Sequence, residues 1–142
     1  MRIETILNTK GPGVHTIPVS VRIADAVNAL NANRIGAVVV TGEDGSVAGI
    51  LSERDIVRRM GADPTAFLQT PVSETMTRDV VHCTRDDTVD HVLELMTERR
   101  IRHMPVCEDR RLIGIVSIGD LVKIKIEMVT KEAEALKEYI TS

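Results

Sequence analysis

The stretch GIVSIGD, residues 114–120, decides the fold, because the chain writes it twice: residues 49–55 read GILSERD. Each copy runs Gly, two apolar residues, Ser, two variable residues and Asp. An apolar run that stops at Ser, with an acidic residue three positions later, is the signature of a strand passing into a helix. Ser takes the N-cap and Asp the third helical position, so both copies predict the same strand-to-helix corner.

The echo spreads outward from that corner. IADAVNALNANRIGAVVV (23–40) lies over VDHVLELMTERRIRHMPV (89–106), 66 positions apart. Ile23, Ala26, Val27 and Leu30 match Val89, Val92, Leu93 and Met96, and their spacing places four apolar residues on one helix face. Ile35 matches Ile101, and each precedes a short β-type run, AVVV or HMPV. The turns that follow, TGEDGS and CEDRR, differ by one residue, which reduces the offset from 66 to 65. Each half therefore reads strand, helix, strand, hairpin turn, strand, helix. A unit of about 60 residues is small for a core of its own, and two copies packed face to face bury what each exposes. The fold class is α+β. The expected divisions are an N-terminal segment 1–13, a first repeat 14–60, a linker 61–75, a second repeat 76–125 and a C-terminal helical extension 126–142. The linker holds two prolines, and PVSETM within it suits a short helix with Pro71 at its start.

Composition narrows the function. The chain has 142 residues, 43% hydrophobic and 27% charged, with a formal net charge of −3. That balance gives no general affinity for nucleic acid. Phe67 and Tyr139 are the only aromatics, so no platform exists for stacking bases. The N-terminus lacks the apolar region of a secretory signal, and no run approaches a membrane span. Cys83 and Cys107 do not make a secreted disulfide framework. A cytoplasmic protein with reduced thiols, bound to neither membrane nor nucleic acid, is the expectation.

Two features suit a ligand. The first is the corner itself. Ser52 with Asp55, and Ser117 with Asp120, have a structural reading as capping boxes. They also have a functional one: a helix start favours phosphate, and a carboxylate one turn in accepts the hydroxyls of a ribose. The second is ERRIRHMPV (98–106), with Arg99, Arg100, Arg102 and His103 in five positions. Such runs usually form a solvated face. Ile101, however, matches an apolar anchor, so Arg99 and Arg100 finish a helix and Arg102 and His103 lie beyond it. The first repeat has Gly36 and Ala37 there, so this charge is extra to the repeat plan and suits phosphate. Pro105 removes a backbone donor beside it and opens the strand edge.

The doubled IADAV…RIGAVVV…GILSERD and VDHVLELM…RIRHMPV…GIVSIGD resemble a tandem pair of CBS domains, the Bateman module, over roughly residues 12–125. SERD, RIRHMPV and SIGDLVK are most similar to small stand-alone bacterial CBS-pair proteins. The resemblance implies two β-α-β-β-α repeats related by a pseudo-twofold axis, with clefts between them. It also implies an adenosine-containing ligand: AMP, ADP, ATP, NAD(H) or S-adenosylmethionine. By that likeness Asp120 takes the ribose hydroxyls, Ser117 and its neighbour Ile118 lie at the phosphate, and Arg102 and His103 face it. Adenine is expected in a slot between Val81, His82, Cys83 and Thr84 and the Met104–Pro105 segment. A second, weaker cleft falls to Ser52, Asp55, Ile17, Ala37 and Val38, which lack the basic pair and the proline. Arg54 stands where the second repeat has Gly119, and is expected to reach the phosphate from the first repeat.

The remaining motifs point elsewhere. His82 beside Cys83 lacks metal-ligand spacing, so no metal is expected. Cys83 reads as a buried structural cysteine. KGPG (10–13) is a turn, with Lys10 a further ligand contact. Asp86, Asp87 and Asp90 suit a helix start. There is no nucleophile with a paired base, so the chain is not expected to be an enzyme. Val122, Ile126, Val129, Ala133, Leu136 and Ile140 form a heptad-type stripe on a long C-terminal helix. That stripe suits a homodimer or packing on the chain's own N-terminal segment. The resulting expectation is a regulatory module that binds an adenine nucleotide and signals to an unidentified protein by changing conformation. The alternative is a constitutive dimerisation scaffold without a nucleotide.

Overall fold

The computed structural model describes residues 1–11 and 13–141. Helix α1 (Ile3–Lys10) is followed by β1 (Thr16–Pro18), α2 (Ile23–Asn33), β2 (Ala37–Thr41), β3 (Val47–Ser52), α3 (Glu53–Arg59) and α4 (Pro64–Leu68). A one-turn 3₁₀ helix (Val72–Glu74) leads to α5 (Val89–Arg99), β4 (His103–Glu108), β5 (Arg111–Ser117) and α6 (Ile118–Thr141). The turn expected at 10–13 includes Pro12, which lies outside the described residues.

The matched helices α2 and α5 form for the same reasons. Ile23, Ala26 and Leu30 are buried in one, and Val89, Val92 and Met96 in the other. Asp25 accepts the Arg22 N–H at 3.1 Å at the first helix start, and the Thr88 hydroxyl accepts the His91 N–H at 3.1 Å at the second. Both end on an arginine in the left-handed region, Arg34 at φ 53° and Arg100 at φ 56°. The next residue then returns its N–H to the last turn, Ile35 to Leu30 and Ile101 to Met96. That reversal delivers each chain directly into a strand.

The chain divides into two compact units that interleave along the sequence. One comprises residues 13–81 and 109–112. Its sheet has the order β1-β2-β3, with β1 parallel and β3 antiparallel to β2. Ile17, Val38, Val40, Leu51 and Ile56 share its core with α2, Val72 and Met76. The segment after the prolines is part of that core: Val72 donates its N–H to Val21 and Ile23 to Thr70. Thr77 and Ile50 exchange backbone bonds at 2.9 and 3.0 Å. The short helix at Val72–Glu74 begins on Pro71, as its sequence predicts.

The other unit comprises, among the described residues, 1–11, 82–108 and 113–141. Here the N-terminal segment takes the part that residues 70–77 play in the first. Ile3 donates to Asp87, and Val89 to Met1. β4 pairs with β5, and Cys83 makes a single parallel bridge to Val106. The first strand expected at Val81–Thr84 is thereby reduced to one residue. Pro105 supplies the reason. Cys83 donates to the Pro105 carbonyl at 3.0 Å and accepts from Cys107 at 2.9 Å. On that same side Pro105 has no N–H to give, so the ladder cannot extend to residues before Cys83. In the first unit, Val39 occupies the matched position and β1 runs three residues.

The glycine that opens both copies of the phrase answers to this packing. A β-carbon on Gly49 would lie 2.7 Å from the Met76 sulfur and 2.7 Å from the Thr77 carbonyl oxygen. One on Gly114 would lie 2.6 Å from a Leu7 methyl. Each unit lays another of its segments directly over its glycine, residues 76–77 over Gly49 and α1 over Gly114.

Candidate functional site

Both phrases form the capping boxes that their sequence predicts. The Ser52 N–H donates to Asp55 Oδ2 at 2.9 Å, and the Asp55 N–H donates to Ser52 Oγ at 3.2 Å. The Ser117 N–H donates to Asp120 Oδ2 at 2.9 Å, and the Asp120 N–H to Ser117 Oγ at 3.1 Å. A further backbone bond ties each helix start to the loop after the preceding helix: Glu53 to Gly36 at 3.0 Å, and Ile118 to Arg102 at 2.8 Å. This changes what the helix start can offer. Of the first three helical N–H groups of α6, those of Ile118 and Asp120 are already bonded. An anion here must rely on cationic side chains more than on helix N–H groups.

The bond between Ile118 and Arg102 has a second consequence. It sets the basic loop beside the carboxylate of the second phrase, within one unit. Arg102 is exposed and His103 half-buried. Pro105, Met104 and Cys83 are buried, Met104 at 0% exposure and Cys83 at 2%. Met104 and Cys83 are thus core side chains, and only their backbone can border a ligand. Burial, the nearby Asp87 carboxylate and Cys107 push the Cys83 thiol up to about 12, and burial also raises Cys107. Both are held as thiols and not thiolates, which disfavours nucleophilic chemistry. Among the described residues no group of three or more metal-ligating side chains forms. His82, Thr84 and Ile118 are exposed, whereas Val81 and Arg54 belong to the other compact unit.

Lys10 is the residue whose importance its sequence context understates. From the end of α1 its ammonium donates to Asp120 Oδ2 at 2.9 Å and to the Ile115 carbonyl at 2.9 Å. Burial raises the Asp120 carboxyl. The Lys10 ammonium and the Ser117 bonds outweigh it, so its pKa lies below the ordinary value. The unit therefore gathers Lys10, Arg102, Ser117 and Asp120 at one corner. The chemistry is a carboxylate held ionised, a hydroxyl, and two cations from separate segments.

The matching corner of the other unit is poorer. Asp55 and Ser52 are bonded mainly to each other, with Ser52 Oγ donating to Asp55 Oδ2 at 2.9 Å. Among the described residues no ion pair reaches Asp55. Ile17, Ala37 and Val38 are 8%, 3% and 1% exposed, so their side chains fill the core and do not line a cleft.

A family model for the CBS domain matches residues 7–62 and 72–127. A mitochondrial CBS domain-containing protein of Arabidopsis thaliana, CBSX3, is 36% identical over 122 residues. That match covers 83% of this chain and 59% of the plant protein, so the chain spans under two thirds of that relative. The crystal structure of the CBS-domain protein ATU1752 from Agrobacterium tumefaciens superposes with a TM-score of 0.84 at 46% identity. It covers 87% of this chain and 92% of its own. The CBS domain pair of protein MJ0100 was solved in complex with 5′-methylthioadenosine and S-adenosyl-L-methionine. It matches at 26% identity and a TM-score of 0.79, over 90% of this chain and 98% of that one.

Proposed function

The chain belongs to the CBS-domain family as a tandem pair, and from that premise we propose that it is a regulatory module for an adenosine-containing ligand. The observation that carries this reading is the Ile118-to-Arg102 backbone bond at 2.8 Å. It joins the basic loop to the corner that holds Asp120, and so sets a phosphate-binding charge beside a ribose-binding carboxylate. Asp120 accepts the ribose hydroxyls through the carboxylate that Ser117 positions. Arg102 and His103 take phosphate, and the backbone around Cys83 and Pro105 borders the base. AMP, ADP, ATP and NAD(H) satisfy this chemistry in full, and S-adenosylmethionine satisfies its adenosine part. The two adenosine compounds bound by MJ0100 support the class of ligand.

In this reading a ribose that binds through Asp120 Oδ2 displaces Lys10, or Lys10 follows the ligand toward its phosphate. Either exchange moves the end of α1, and a ligand that favours one arrangement shifts the population that a regulated protein senses. The module is non-catalytic and cytoplasmic in this reading.

Thermal unfolding with AMP, ATP, NADH and S-adenosylmethionine tests it. A ligand at about a hundred times its dissociation constant stabilises the chain by ~2.7 kcal/mol. No shift with any of the four replaces this reading with the second one, a dimerisation scaffold without a nucleotide. The exposed apolar stripe on α6 favours that alternative.

A further inference from the structure

The two cations at the corner of the second phrase are not equally available. Among the described residues no ion pair engages Arg102, whose side chain is exposed. Lys10 is already committed, to Asp120 Oδ2 and to the Ile115 carbonyl, each at 2.9 Å. The helix behind it is anchored at its other end. Ile3 is fully buried, Ile3 and Glu4 donate their N–H groups to Asp87 and Arg85, and the Arg85 guanidinium reaches Glu4 and Glu108. The last three residues of α1 are exposed. A docked helix thus ends in a flexible four-carbon stem that can turn its charge without undocking.

The carboxylate oxygen that Lys10 holds has no room for another donor. Asp120 Oδ2 accepts both the Lys10 ammonium and the Ser117 N–H, the latter at 2.9 Å. A carboxylate oxygen offers about two acceptor directions. A ribose diol that spans the carboxylate sets one hydroxyl on each oxygen. On Oδ2 it must take the place of Lys10, because the Ser117 N–H belongs to the helix cap.

We propose that Lys10 sets the charge an adenosine ligand must carry: it competes with the ribose for Asp120, and only a ligand with phosphate offsets its displacement. The proposal rests on the adenosine-ligand reading and adds a selectivity to it. A neutral ligand strips the ammonium of its carboxylate and offers nothing in return. A cationic one, such as a sulfonium, adds repulsion. A phosphate gives the displaced ammonium a new anionic acceptor. Lys10 therefore differs from Arg102. Loss of Arg102 removes attraction for phosphate and leaves a neutral ligand alone, whereas loss of Lys10 moves the two affinities in opposite directions.

Titration calorimetry of the full chain and of Lys10→Met, with AMP and adenosine, tests it, since these probes differ only in the phosphate. Adenosine is expected to bind Lys10→Met about two- to fivefold more tightly, as release from a half-exposed ion pair implies. AMP is expected to bind it roughly threefold to thirtyfold more weakly, through loss of a charge-assisted bond. Added salt screens the pair, so adenosine binding to the intact chain tightens with salt and that to Lys10→Met does not. Equal weakening of both ligands would assign Lys10 to holding α1 or Asp120 in place and overturn the proposal. Weaker AMP binding with adenosine unchanged overturns it too, since Lys10 would then be a plain phosphate contact. An intact chain that binds neither probe overturns the ligand reading itself, and this selectivity with it.

Discussion

The two units write one phrase, GILSERD and GIVSIGD, and build two different corners from it. In both, Gly lies under another segment of its unit, Ser caps a helix and Asp closes the box. In the first unit the box is nearly self-sufficient: Ser52 and Asp55 satisfy one another. In the second, Lys10 enters from α1 and Arg102 is tied to the first residue of α6. A shared motif thus sets the backbone, and what arrives from distant segments sets the chemistry. The difference arises because the residues over Gly49, Met76 and Thr77, follow a single 3₁₀ turn and bring no cation, whereas the segment over Gly114 is an eight-residue helix with a lysine at its end.

The shared scaffold is tested most severely at its glycines. Gly49→Ala drives a methyl group into the carbonyl of Thr77, a residue fixed by two backbone bonds to Ile50, one donated and one accepted. Overpacking of that kind costs typically 1–3 kcal/mol, and this site belongs at the upper end. Gly114→Ala meets only the Leu7 methyl, the end of a flexible side chain, and belongs at the lower end. Urea unfolding of the two variants compares them directly. Equal losses would show that the two overlying segments are equally rigid and dissolve the distinction.

The next contrast concerns ligand affinity. Asp120→Ala is expected to weaken an adenosine ligand by roughly 5- to 150-fold, because a buried ligand hydrogen bond is worth ~1–3 kcal/mol. Asp55→Ala removes the equivalent box where no cation joins it, and should leave that affinity within about twofold. Both variants lose a helix cap, worth ~0.5–2 kcal/mol of stability. Matched destabilisation with unmatched affinity, read by calorimetry, is the expected pattern. Equal loss of affinity would make the first corner as good a site as the second.

Much of this organisation is legible in the chain. The helix faces of α2 and α5, the two capping boxes and the place of Arg102 just beyond a helix all follow from local spacing. What escapes a local reading is the ownership of α1. The signal is present: Glu4–Thr5 is echoed by Glu74–Thr75, but 70 positions apart where the repeat that follows runs at 66 and then 65. Four extra residues before β1 break the register and hide the match. They also lengthen the helix enough to carry Lys10 to Asp120. The bonds that dock α1, Ile3 to Asp87 and Val89 to Met1, span more than 80 residues, and no periodicity encodes a partner at that distance. The buried state of Met104 and Cys83 escapes for a related reason. Residues flanking a ligand-type motif read as lining, while the sheet turns these two side chains into the core.

The smallest effect isolates Lys10 itself. The folded-state pKa of Asp120 is depressed below 3.8 despite burial, through the Lys10 ammonium and the Ser117 bonds. A carboxylate depressed in this way contributes stability that is fully present above its unfolded value and is lost as pH falls through its folded value. Lys10→Met removes the cation and keeps the box. Burial then weighs more heavily and the Asp120 pKa rises toward its unfolded value, so the acid loss of stability from this carboxylate keeps its onset near the unfolded pKa but becomes smaller and is complete at higher pH. The Lys10 side chain is 39% exposed and that of Asp120 27%, so solvent and salt screen the pair and the displacement is small. Urea midpoints measured between pH 5 and about 2.5, at low salt, resolve it. Superimposable pH profiles for the parent and Lys10→Met would mean that Ser117 alone sets the Asp120 charge. The second corner would then owe its chemistry to Arg102 and not to α1.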